Sequence, residues 1–204
     1  MHDVELEATP PEHLRAGVRV SAVSIVWTVG SSAAAIVLGL AADSIVLVAF
    51  GLTGVLDALG SATLVVHFRH ALRHEAFSDR HERIALRTVT LGLAAVGTFT
   101  VIESGHRLST GVAARATPAG LTGAALSVAV LALLSHRKQQ IAGRIPSRAL
   151  RADGWLSATG SLLALVTVLG TGLTAWFGWW WADPTAALGV GIAAISIAAI
   201  MYRR

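Results

Sequence analysis

Between Ile45 and Val66 the chain reads IVLVAFGLTGVLDALGSATLVV, a run of apolar and small residues interrupted by one charge, Asp57. Crossing the hydrocarbon core of a bilayer takes roughly 20 residues of helix, so the run is long enough to span. Within that core the backbone must satisfy its own hydrogen bonds, which leaves only helices and closed barrels as spanning structures. A carboxylate near the middle of such a helix costs roughly 2.5 to 3.5 kcal/mol on insertion scales and faces the bundle interior, where ions or protons reach it. Asp57 is therefore the first candidate for a transport role. The alternative is a protonated acid that ties this helix to a neighbour through hydrogen bonds.

The rest of the chain repeats the pattern. Apolar segments are expected at about 20–40, 45–66, 86–104, 118–135, 153–177 and 184–201. With 54% hydrophobic and 14% charged residues and a mean hydropathy of +0.65, the composition lies far from that of a soluble domain. No alternating ten-residue strand pattern is present, so the fold class expected is an all-α membrane protein, a six-helix transmembrane bundle. Residues 1–17 read as a short polar tail broken by Pro10 and Pro11, residues 18–204 as the bundle, and no C-terminal cytoplasmic domain is expected. The absence of cysteine excludes disulfides, thiolate metal sites and thiol catalysis.

Charge gives the orientation. Fourteen Arg and Lys fall in the tail, the loops after helices 2 and 4 and the C-terminus, against Arg107 and Arg115 on the opposite side. That asymmetry places both termini in the cytoplasm, in a multi-pass protein of the cytoplasmic membrane. It also explains the pI near 10.9 without a nucleic-acid partner. The cluster Trp176, Phe177, Trp179, Trp180 and Trp181 is expected at the membrane boundary.

Several residues accompany Asp57. Thr53 lies four residues earlier on the same helix face and offers a hard oxygen beside the carboxylate, or else bonds back to its own helix. Gly51, Gly54, Gly60 and Ser61 permit close approach of another helix. Asp153 and Ser157 open helix 5, where Asp153 serves either as a cap favoured by the helix dipole or as an ion entrance. Glu103, Ser104 and His106 read as an interfacial cluster closing helix 3. His67, His70 and His74 follow helical spacing in the loop after helix 2. They suit an accessory zinc-type site, unless the intervening arginines make this a solvated basic loop against anionic lipid. No nucleophile, base and orienting group converge, so an enzyme is not expected.

The segment order and the strings GLTGVLDALGS, FTVIESGHRL, SRALRADGWLSATGSLLAL and FGWWWADPTAALGVGIAAI resemble the transmembrane domain of the cation diffusion facilitator family, over about Val18 to Arg204. The resemblance implies a six-helix homodimer exchanging zinc or a related divalent cation for protons. It also implies a transport site of two residues four apart on helix 2, His or Asp then Asp, and a His and an Asp four apart on helix 5. Here the first pair reads Thr53 and Asp57, and the second falls on Leu156 and Gly160. Only Asp57 matches a ligand, so a tetrahedral zinc site built from those positions is excluded. The expected function is proton-coupled transport of a divalent cation; the alternative is a scaffold or accessory subunit that kept the bundle and lost the ion site.

Overall fold

In a computed structural model that describes residues 10–41, 45–74, 79–111, 118–145 and 147–203, the chain forms six helices and, among these residues, no strands. They are α1 (Pro11–Ala41), α2 (Ile45–His74), α3 (Asp79–Thr110), α4 (Pro118–Ala142), α5 (Arg148–Phe177) and α6 (Ala182–Arg203). By length and composition, α1, α3, α5 and α6 each carry an apolar stretch long enough to cross a bilayer.

Every helix starts earlier or ends later than its apolar segment. Hydropathy marks where lipid lies, whereas the helical hydrogen-bond ladder continues until a cap or breaker stops it. α1 begins at Pro11, in the stretch expected to be a tail, because proline suits the first helical position, where its missing N–H costs nothing. Its early turns are buried: Leu14 and Val20 join Leu64 and Phe68 of α2, Leu131 and Leu134 of α4, and Ala149 and Leu150 of α5. Much of the two expected basic loops is therefore helical.

Helix pairing follows the small residues. α1 packs chiefly on α2, α4 on α5, and α3 on α6, with α3 reaching α2 and α5. At the α3–α6 crossing, a Cβ on Gly97 would lie 2.9 Å from the carbonyl of Gly191, and one on Gly191 would lie 3.0 Å from the carbonyl of Gly97. Only glycine lets the two backbones approach this closely. α5 is bounded by defined caps. The Ser147 hydroxyl accepts from the Leu150 amide at 3.2 Å, and Gly178, left-handed at φ 70°, donates to the Thr174 carbonyl at 3.0 Å.

Where helices 1, 2, 4 and 5 meet, the interior is polar. α1 contributes Ser21, Ser24, Thr28 and Ser32, all at most 3% exposed and spaced three and four apart. α2 contributes Asp57 and Ser61, one turn apart on the stripe that continues as Leu64 and Phe68. This stripe positions the site.

Candidate transport site

Asp57 points inward, as a spanning acid should. It is 7% exposed, and the Ser157 hydroxyl of α5 stands beside it as a hydrogen-bond donor. It lines a cavity of about 60 Å³ with Thr28, Ser31, Ser32, Ser127 and Ser157, space for a few waters or a partly hydrated ion. Ser157 offers the carboxylate the hydrogen-bond tie to a neighbouring helix that is the alternative role for Asp57.

The charged partner in this core is Lys138. Its ammonium lies 2.7 Å from Asp153 Oδ2, and both residues are 0% exposed. It also donates to Ser24 Oγ at 2.8 Å, Ser157 Oγ at 2.8 Å and Ser61 Oγ at 3.3 Å. Ser61 in turn donates to Asp153 Oδ2 at 3.0 Å. One ammonium thus joins α1, α2, α4 and α5, and its charge and that of Asp153 both act on Asp57. A buried pair of charges is tolerated only when its donors and acceptors are met this fully. Gly60 makes room for it, since a Cβ there would stand 3.4 Å from Asp153 Oδ1 and 3.0 Å from Val89.

Lys138 was expected among the loop cations. Two signals could have located it. It is the one lysine beside fifteen arginines, and it continues the inward stripe Ser127, Leu131, Leu134, Lys138, Ala142 in helical phase. Removing it from the loop count leaves thirteen cations against two. Asp153 is likewise neither cap nor entrance: it lies in the second turn of α5, inside the core, and Ser147 is the cap. Ser157 stands one turn further along, as spacing suggested, and lines the Asp57 cavity while accepting from Lys138. Thr53 belongs to α2, but its side chain lies outside the described residues.

His67 lies within α2, 1% exposed, with Nε2 2.8 Å from Glu82 Oε2. Glu82 also accepts from the Ala149 amide at 2.9 Å and the Ser147 hydroxyl at 3.2 Å, so this carboxylate joins α2, α3 and the start of α5. His70 lies half-buried one turn later, and the His74 side chain lies outside the described residues. Among the described residues no group of three or more His, Asp or Glu is placed to hold a metal ion. Glu103, expected to end helix 3, lies within α3. It binds Arg107 at 2.8 Å, and Arg107 reaches Asp183 of α6 at 3.4 Å.

A family model for the cation efflux transmembrane domain matches residues 21–203. The chain belongs to this family. No curated protein matches it. In this cation efflux domain Leu156 and Gly160, the positions that the family resemblance assigns to helix-5 ligands, line the same cavity as Asp57. Neither residue puts a donor into this space, whose lining combines Asp57 and the hydroxyls of Thr28, Ser31, Ser32, Ser127 and Ser157 with apolar Val96, Leu131 and Leu163.

Proposed function

We propose that this cation efflux domain exchanges a cation for protons at Asp57, across the cytoplasmic membrane and with both termini in the cytoplasm. One observation carries the reading: a buried carboxylate lines a cavity that also holds five hydroxyl side chains, beside a lysine whose charge is already met by Asp153. Hydroxyl contact alone leaves the charge of a carboxylate uncompensated in a low-dielectric core, so it needs a proton or a cation as its partner.

Charge arithmetic defines the exchange. Lys138 and Asp153 cancel each other, so Asp57 leaves one negative charge in the core. In the empty state a proton on Asp57 makes the core neutral. A monovalent cation that displaces this proton keeps it neutral. A divalent cation does so only by releasing a second proton, from Lys138, whose hydroxyl and carboxylate partners then turn to the metal. The donor set also bears on the ion. Hydroxyl and carboxylate oxygens suit hard cations, whereas zinc prefers imidazole and thiolate, and among the described residues no histidine lines this cavity. The proposal accordingly favours an alkali or manganese-type ion over the zinc expected from sequence. As a homodimer, each copy would carry its own site.

The test is reconstitution into vesicles enclosing a pH-sensitive dye, with potassium, sodium, manganese, cobalt, zinc and cadmium offered in turn. Proton release is expected with hard cations, lost in Asp57→Asn. Flux that survives that substitution would contradict the site, and silence towards every cation would favour the scaffold reading.

A further inference from the structure

We propose that Asp153, Ser24, Ser61 and Ser157 form a second cation site, adjoining the Asp57 cavity, and that Lys138 fills it with a cation tethered to the chain. Four oxygens surround its Nζ: Asp153 Oδ2 at 2.7 Å, Ser24 Oγ and Ser157 Oγ at 2.8 Å each, and Ser61 Oγ at 3.3 Å. An ammonium has only three N–H donors, so these oxygens exceed one-to-one hydrogen bonding and form a coordination shell. Ser61 donates its own hydrogen to Asp153 at 3.0 Å, which leaves its lone pairs to face the positive charge.

The shell is built without α4, the helix that carries Lys138. Ser24 comes from α1, Ser61 from α2, and Asp153 and Ser157 from α5, and none of them is more than 1% exposed. Taking the ammonium away therefore removes the occupant and keeps the shell, with a buried negative charge that needs a positive partner. One carboxylate balances a single charge. The shell distances of 2.7 to 3.3 Å are longer than the roughly 2.3–2.6 Å of calcium–oxygen contacts or the roughly 2.0–2.1 Å of magnesium–oxygen contacts. The site thus suits a monovalent cation of ammonium or potassium size. Ser157 also lines the Asp57 cavity, so it joins the shell to that space and marks the route by which a free cation reaches it. In the native chain the tethered charge takes the place of a cation that would otherwise be drawn from solution, which leaves Asp57 as the exchangeable position. The shell rests on its own contacts, whether or not Asp57 carries a cation.

The test uses the full chain carrying Asp57→Asn, so that potassium held at Asp57 cannot account for the result. Lys138→Asn ends short of the ammonium position, which frees the shell and offers it an amide oxygen. Thermal unfolding in detergent micelles is followed as potassium chloride replaces N-methylglucamine chloride at constant ionic strength. The Tm of Asp57→Asn/Lys138→Asn is expected to rise by about 3 to 6 °C for each tenfold increase of potassium above its Kd. Ammonium should act like potassium. Asp57→Asn alone, whose shell keeps its lysine, should not respond, and neither should the triple variant that adds Asp153→Asn. Asp57→Asn/Lys138→Ala, which removes the stem as well, should show the same potassium dependence from a lower starting Tm. A Tm that ignores both cations in the two lysine variants, a response that survives Asp153→Asn, or an equal response in Asp57→Asn alone would overturn the proposal. So would lysine variants that both fail to fold in potassium, since a refilled shell restores the missing charge. Any of these results leaves proton exchange at Asp57 untouched, because that exchange is read in the chain that keeps Asp57 and Lys138.

Discussion

Replacing Lys138 by methionine removes the charge while keeping most of the side chain's length and volume. In the native core the ammonium lies 2.7 Å from a carboxylate that is, like itself, fully buried, and it donates to three serine hydroxyls besides. Breaking such a pair by removing one partner typically costs about 3 to 5 kcal/mol, because the remaining charge stays buried and uncompensated. For a chain of this size, about 2 to 4 °C of Tm corresponds to each kcal/mol, so Lys138→Met should lower the melting temperature by about 6 to 20 °C. Asp153→Asn should cost a similar amount. The double variant Lys138→Met/Asp153→Asn leaves no unpaired charge from the pair and should lose clearly less than the sum, with a coupling of up to about 3 kcal/mol. Thermal unfolding in detergent micelles, followed by tryptophan fluorescence, reads all four proteins. Additive losses, or a Lys138→Met protein that melts with the native chain, would refute the ion pair as the fastening of helices 1, 2, 4 and 5.

Other substitutions probe separate parts of the account. Asp57→Asn removes a buried carboxylate and keeps an amide oxygen that can accept from Ser157, so its Tm should match or exceed the native value while cation-driven proton release is lost; a large fall in Tm would mark Asp57 as structural. Glu82→Gln weakens the acceptor shared by His67, Ser147 and the Ala149 amide and should cost about 1 to 3 kcal/mol, with faster amide hydrogen exchange at the start of α5 as the readout. Phe68→Ala empties a fully buried site between α1 and α2 and should cost about 3 to 5 kcal/mol in the same melting assay.

The bundle was legible in the sequence because each spanning helix had to present a long apolar run, and because small residues such as Gly51 and Gly54, which meet Ser32 and Ile36 of α1, marked where helices cross. Asp57 was legible for the same reason: a lone acid in an apolar run is conspicuous. What hydropathy could not show was the polar interior past the apolar segments. Lys138 and Asp153 sit in stretches that look like basic loop, because charge count averages over residues that helical phase would separate. The serines of α1 are individually unremarkable in a membrane helix and become a stripe only when Ser21, Ser24, Thr28 and Ser32 are read at spacings of three and four. His67 misled in the opposite sense. Its spacing to His70 and His74 suggested shared ligation, but its partner, Glu82, comes from the next helix, and no local pattern announces a contact across a turn.

The central claim is that Asp57 gives up a proton when a cation binds. Infrared difference spectroscopy of the reconstituted protein, recorded on adding potassium or manganese, reads the protonation of a carboxyl group directly. The account predicts the loss of a protonated carboxyl stretch in the native protein and its absence from the difference spectrum of Asp57→Asn. A band that persists unchanged in Asp57→Asn, or a native protein whose carboxyl region ignores both cations, would contradict it.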